Sequence, residues 1–364
     1  MAQMMKIAPE APARTPERGG KDLNLDLMRA LAAFLVLSVH FFLNNGFYAQ
    51  EVLGRRMLLM TMMRMGFMTC VPLFLALSGY LCLKKSLSGR YYLGVVRIVL
   101  TYALCSVVCL GVRLWRGEAI GLTDAARMFL GYSAAPYAWY IEMYLGLFLL
   151  IPFLNLIWRG LSTRRGHLAL IATMLALTTV PVVINFRYSI APDWWMGIYP
   201  LLYYFLGAYF ATYQPRPRWY WLMLGLAAAV VLGGTMMYVL SLGGVFQWLP
   251  LSDWYGPTTV LSTCLLFLLV RQIPVERWPR WAQWLVRKGS ELSLGIYLLS
   301  WCFDSWLYPI LTERVPNMLD RLPFYILIVP AVYLCSALAS QGVEWVRRGI
   351  TLGLDRIFPR LGLK

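Results

Sequence analysis

Arg29 and His40 lie eleven positions apart in the first long apolar stretch of the chain. At 100° per residue, eleven steps amount to about 1100°, roughly 20° beyond three turns. A helix would therefore present both side chains on one face, about 16 Å apart along its axis. One end of that face carries a permanent cation. The other carries an imidazole, the side chain best suited to moving a proton near neutral pH, followed closely by Asn44 and Asn45. Such a pair suits a ligand that is anionic at one end and reactive at the other. Two plainer readings stay open at this point: Arg29 snorkelling to the nearer interface, and His40 hydrogen-bonded to a neighbouring helix.

The surrounding chain is built for a bilayer. Of its 364 residues, 60% are hydrophobic and 14% charged, and the mean hydropathy is +0.61. Soluble domains carry about 45–50% apolar and about 25% charged residues, so soluble, disordered and collagen-like classes are excluded. A membrane span needs about 20 mostly apolar residues. Ten segments read as spans, the second long and the eighth short: Leu25–Leu43, Met57–Leu83, Tyr92–Val112, Trp139–Ile157, Leu168–Phe186, Gly197–Tyr213, Trp219–Ser241, Pro257–Val270, Leu292–Ile310 and Pro323–Val346. Between Glu118 and Tyr132 an amphipathic stretch reads as an interfacial helix.

A net charge of +16 raises the question of nucleic acid. With the N-terminus inside, the outer segments hold eight of the 33 Lys and Arg: Arg55, Arg56, Arg113, Arg116, Arg127, Arg187, Arg314 and Arg321. Arg29, Arg64 and Arg97 lie within spans, which leaves 22 for the inner segments. That asymmetry is the positive-inside pattern, so the partner is the lipid bilayer and no nucleic acid is expected. The expected fold is an all-α polytopic membrane protein of about ten transmembrane helices with both termini cytoplasmic. Residues 1–24, with three prolines and a Gly-Gly, read as a disordered cytoplasmic tail. Residues 25–346 form the membrane domain, and 347–364 a basic cytoplasmic tail. The first apolar run is too long and too far along to be the core of a cleavable signal. The seven cysteines fall in or beside spans without a C-x-x-C pattern, so packing is expected rather than a disulfide or metal site.

Ionisable groups within the membrane cost about 2.5–3.5 kcal/mol each on insertion scales. They are Asp26, Arg29, His40, Arg64, Arg97, Glu142 and Asp304. Arg64 and Arg97 suit either function or an ion pair with Glu142. Asp304 suits either function or a hydrogen bond between helices. The only other histidine, His167, lies in a basic loop. Trp194, Trp195, Trp219, Trp254, Trp278 and Trp281 sit at span ends, where an interfacial belt is the first explanation, ahead of a sugar-stacking site.

These residues resemble the integral-membrane acyltransferase family 3. The first span, Leu25-Asp26-Leu27-Met28-Arg29 through to His40-Phe41, is similar to that family's opening, in which Arg is followed by ten residues and then His. Phe74-Leu75-Ala76-Leu77-Ser78-Gly79-Tyr80-Leu81 resembles its second-span run. Trp139-Tyr140-Ile141-Glu142-Met143-Tyr144-Leu145-Gly146-Leu147, leading to Ile151-Pro152, resembles its fourth-span motif. Tyr204-Phe205-Leu206-Gly207-Ala208 and Ser293-Leu294-Gly295-Ile296-Tyr297-Leu298-Leu299 match two later motifs. The five occur in the family's order across about residues 22–345, and the fourth-span version is most similar to the surface-polysaccharide O-acyltransferase branch. Two departures stand out: Ser300 follows the ninth-span motif where the family often has His, and Arg97 lacks its usual partner, with Gly94 in that place.

The resemblance implies a multi-pass protein of a bacterial-type inner (plasma) membrane. It would move an acyl group, usually acetyl, from cytoplasmic acyl-CoA to a hydroxyl of a cell-surface or lipid-linked carbohydrate, without a metal. On this reading His40 is the general base, and Glu142 either orients it or binds the sugar. Arg29 and Arg97 meet the CoA phosphates. Arg64 lines the same cavity or stabilises the oxyanion, and Asn44, Trp139 and Tyr140 contact the acceptor. Further partners in keeping with it are a second copy of the chain or a polysaccharide-synthesis complex. A polysaccharide or lipid-linked sugar transporter (a flippase) is the alternative, although neither inverted repeats nor broken spans are evident.

Overall fold

Asp22 opens the first helix. Its carboxylate accepts from the backbone N–H of Asn24 and Leu25, at 3.1 and 3.4 Å, satisfying donors that a helix start leaves without partners. Ser88 and Thr163 cap two later helices in the same way, accepting from Tyr91 and Gly166 N–H. The computed structural model describes residues 22–185 and 188–357. Its helices are α1 (Leu23–Asn44), α2 (Gly54–Phe67), α3 (Cys70–Cys82), α4 (Gly89–Trp115), α5 (Leu122–Leu130), α6 (Trp139–Gly160) and α7 (Arg164–Thr178). Then follow α8 (Val180–Ile184), α9 (Tyr199–Tyr213), α10 (Trp219–Leu240), α11 (Pro257–Val270), α12 (Arg280–Arg314) and α13 (Tyr325–Ile357). The only extended pairing among the described residues is two isolated bridges, Glu51 with Val245 and Val52 with Leu242.

Eight segments among the described residues are long and apolar enough to cross a bilayer: α1, Gly54–Cys82, α4, α6, α10, Pro250–Val270, α12 and Met318–Leu354. The chain is thus an all-α polytopic membrane protein. The fifth and sixth expected spans correspond to α7 with α8 and to α9. Both α7 and α9 have 15 residues, about 22 Å of helix against a hydrocarbon layer of about 30 Å. The α7–α8 break falls at Thr179, two residues before Pro181, which has no N–H to continue the helical hydrogen-bond ladder. Phe186, the expected end of that span, lies outside the described residues. The second expected span is interrupted at Met68–Thr69, where Thr69 Oγ turns back to the Gly66 carbonyl at 2.9 Å.

The expected N-terminal tail is largely outside the described residues, but Asp22 to Asn24 already belong to the cap and first turn of α1. At the other end α13 runs past Arg347 and Arg348 to Ile357, so the basic segment is helix rather than tail as far as it is described. The expected interfacial stretch contains α5, which buries none of its residues and exposes Leu122 and Leu130. Apolar side chains on α4, α10 and α13, such as Val107, Leu232 and Leu338, are exposed. In water each Å² of such surface would cost about 25 cal/mol; against lipid tails it costs nothing.

Helix α1 lies at the centre, along α12 and against α3 and α13, with Met28, Ala32, Phe41 and Phe42 fully buried. Two crossings brace it. A Cβ on Gly79 of α3 would overlap the Tyr204 carbonyl of α9, and one on Gly207 would overlap the Ala76 carbonyl. The two helices therefore touch backbone to backbone. Gly295 of α12 makes the same kind of room for Ser340 of α13.

Candidate active site

A cavity of about 1230 Å³ runs beside α1. Drug-sized ligands occupy pockets of about 300–1,000 Å³, so this one has room for an elongated molecule. Its wall includes Arg29 and His40 of α1, as their spacing predicts, and Arg97 of α4. Arg287, Lys288 and Glu344 belong to one end, beside the start of α1; Leu43, Tyr48 and Trp254 belong to the other.

His40 is 7% exposed and its surroundings come from three elements. Its Nδ1 stands 3.6 Å from Oδ2 of Asp304 on α12, near enough for a strong charge interaction but without a hydrogen bond. Asp304 is 2% exposed, and the same oxygen accepts from the Tyr137 hydroxyl at 3.1 Å. The Tyr137 ring lies over the imidazole, with centroids 3.8 Å apart. Asn44 Nδ2 then donates to the Tyr137 hydroxyl at 3.0 Å and to the His40 carbonyl at 2.9 Å. Tyr297 donates its hydroxyl to the Tyr137 carbonyl. With Nδ1 turned to a carboxylate, Nε2 is the ring nitrogen available to a reactant. A neutral imidazole with its proton on Nδ1 is then a base at Nε2, and the cation formed on protonation faces a negative charge.

At the basic end, Arg29 donates one N–H to Ser290 Oγ at 3.2 Å, and Ser290 donates onward to Asp26 Oδ1 at 2.6 Å. A guanidinium has five N–H donors, so most of this fork has no acceptor among the described protein residues. Arg97 is exposed and also lines the cavity. Around it, Glu344 accepts from Arg347 at 2.8 and 2.6 Å and from Arg348 at 2.8 Å, while Glu291 pairs with Lys288 at 3.1 Å and with Arg348. The remaining donors of Arg29 and the exposed Arg97 suit a multiply charged phosphate group. Among the described residues no three His, Cys, Asp or Glu side chains converge as a metal site.

Residues 22–341 match the family described as an acyltransferase domain, which is most of the chain. The chain belongs to acyltransferase family 3. No curated protein and no solved structure matches it. The chain is therefore a multi-pass membrane acyltransferase.

In this acyltransferase the five motifs do separate work. The first supplies Arg29 and His40. The glycines of the second and fourth make the α3–α9 crossing, and the fifth supplies Gly295 and Tyr297. Trp139 and Tyr140, from the third, line the cavity, whereas Asn44 supports His40 from beside it. Glu142 is different. It lies on the exposed side of α6, off the cavity wall, so the carboxylate beside His40 is Asp304 and not Glu142. Nor does Arg64 reach the cavity wall. It is 0% exposed, donates to the Ser252 carbonyl at 2.8 Å and to the Tyr48 hydroxyl at 3.2 Å, and sits under Phe246 and Trp248. Neither Arg64 nor Arg97 pairs with Glu142, which is exposed. Sequence reasoning left the role of Asp304 open and did not single out Tyr137. A lone tyrosine three positions from Tyr140 carries no periodic or charge signal, and Asp304 lies 264 residues from His40 in sequence.

Proposed function

We propose that this family 3 enzyme is an O-acyltransferase of the inner (plasma) membrane of a bacterial-type cell. It takes an acyl group, most simply acetyl, from acyl-CoA at the basic end of the cavity. It passes that group to a hydroxyl of a cell-surface or lipid-linked carbohydrate at the other end. The observation that carries this reading is that Arg29, Arg97 and His40 line one continuous cavity. The positive-inside asymmetry supports a cytoplasmic basic end, on the side where acyl-CoA is made.

The CoA phosphates would meet Arg29 and Arg97, with Lys288 and Arg287 nearby. The flexible pantetheine arm would follow α1 over the roughly 16 Å to His40. His40 Nε2 takes the proton of the acceptor hydroxyl as its oxygen attacks the thioester carbonyl. A C–O bond forms, the C–S bond breaks, and the proton passes from His40 to the departing thiolate sulfur. Asp304 offsets the positive charge on the ring between those two transfers, and Tyr137 and Asn44 hold ring and carboxylate in place. A base so placed contributes about 10²–10⁴ in rate.

The test is to supply purified protein in nanodiscs with [¹⁴C]acetyl-CoA and an extract of cell-surface glycans. Label appearing in the glycan fraction with equimolar release of CoA thiol supports the reading. Movement of unmodified sugar across a proteoliposome membrane with no CoA release would favour the transporter instead.

A further inference from the structure

The end of the cavity away from the arginines carries more built structure than proton transfer needs. Trp254 is half-buried and held by two rings and two backbone hydrogen bonds. Its ring stacks with Trp139, centroids 4.7 Å apart at 25°, and with Tyr199 at 5.8 Å. Its backbone N–H donates to Asp253 Oδ1 at 2.7 Å, and its carbonyl accepts from the Tyr203 hydroxyl at 2.5 Å. The indole Nε1 is buried without an acceptor. A second pair, Tyr48 and Trp248, stacks at 4.5 Å and 25°. Arg64 lies 4.8 Å from the Trp248 ring centroid and grips Ser252, which ties this loop to α2. Tyr48, Trp139, Trp248, Trp254 and Asp253 all line the cavity that holds His40.

Rings of an interfacial belt face headgroups. These face a cavity and are fixed to protein. Rigid aromatic faces beside a carboxylate match the chemistry of a sugar ring. Its C–H face packs on aromatic carbon while its hydroxyls exchange hydrogen bonds with the polar groups. We propose that the Trp139–Trp254 and Tyr48–Trp248 pairs, with Asp253, form the acceptor subsite of the enzyme and take a pyranose ring. This rests on the O-acyl transfer reading, narrows its carbohydrate acceptor to a pyranose ring and names the contacts.

The experiment follows full-length protein in nanodiscs by saturation-transfer NMR with methyl pyranosides of glucose, galactose, mannose, rhamnose and N-acetylglucosamine. Acetyl-CoA binding is measured in parallel. At least one pyranoside receives saturation on its ring C–H protons, and its Kd rises about three- to tenfold in W254A and in W248A, the loss of one stacked ring. W254F and W248F stay within about threefold, and acetyl-CoA affinity is unchanged in all variants, which also reports correct folding. If W254A or W248A loses acetyl-CoA binding, the two Phe variants carry the test, each expected to bind the pyranoside measurably more weakly than wild type. Absence of pyranoside binding by wild type, or affinity unchanged in the folded Ala variants (in the Phe variants where these carry the test), overturns the subsite while acyl transfer stands. Failure of wild type to bind acetyl-CoA overturns instead the donor reading beneath it.

Discussion

Replacing Asp304 by Asn keeps the side chain's shape and an acceptor for the Tyr137 hydroxyl, and removes the charge 3.6 Å from His40 Nδ1. On the proposed mechanism the imidazole becomes a cation while it carries the acceptor's proton. Two unit charges at that separation interact by about 4–5 kcal/mol at an effective dielectric of about 20. Asp304 is 2% exposed, so mobile ions screen the pair weakly. With the proton in flight, about half of this, roughly 2–3 kcal/mol, is realised at the transition state, equivalent to about 30- to 150-fold in kcat. The assay is single-turnover release of CoA thiol with acceptor present, alongside equilibrium binding of acetyl-CoA. D304N should lose rate by that factor and bind acetyl-CoA within about twofold of wild type, because Asp304 is remote from the basic end. A kcat within about threefold of wild type would refute the role of Asp304 as countercharge.

Arg29→Ala should weaken acetyl-CoA binding by about 10- to 150-fold, the worth of a charge-assisted hydrogen bond; R29K should recover part of it, since an ammonium lacks the planar fork. Unchanged affinity would remove Arg29 from the donor site. Gly207→Ala places a Cβ on the Ala76 carbonyl and should destabilise by about 1–3 kcal/mol, read as a lower melting temperature in nanodiscs; an unaltered melting temperature would contradict the close α3–α9 crossing. Glu142→Gln, on the exposed side of α6, should keep kcat within about twofold. A loss beyond tenfold would bring that carboxylate back to the chemistry.

How much of this was legible in the sequence depends on the range of the interaction. Arg29 and His40 share one helix, so helical geometry alone put them on one face, and both line the cavity. Hydropathy located the long helices because a bilayer imposes a length on them. It also marked the stretches of α7 and α9, but it registers neither the Thr179 break nor the 15-residue length of each helix. Glu142 was favoured over Asp304 as the partner of His40 because it sits within a recognisable motif. The choice is made by how α12 packs along α1, a contact between residues 264 positions apart. Arg64 drew attention as a charge in a span, and its burial against Ser252 and two aromatic rings is equally a tertiary matter. The glycines were visible as motif letters, and their reason appears only where two backbones meet.

The central claim is that His40 acts on an acyl group brought along the cavity from the basic end. Its most direct measurement uses proteoliposomes of known orientation, with [¹⁴C]acetyl-CoA on the side of Arg29 and Arg97 and a glycan acceptor on the other. Wild type should label the acceptor across the membrane. His40→Ala should bind acetyl-CoA with unchanged affinity and transfer at least about 100-fold more slowly. Transfer by folded H40A at the wild-type rate would contradict the account.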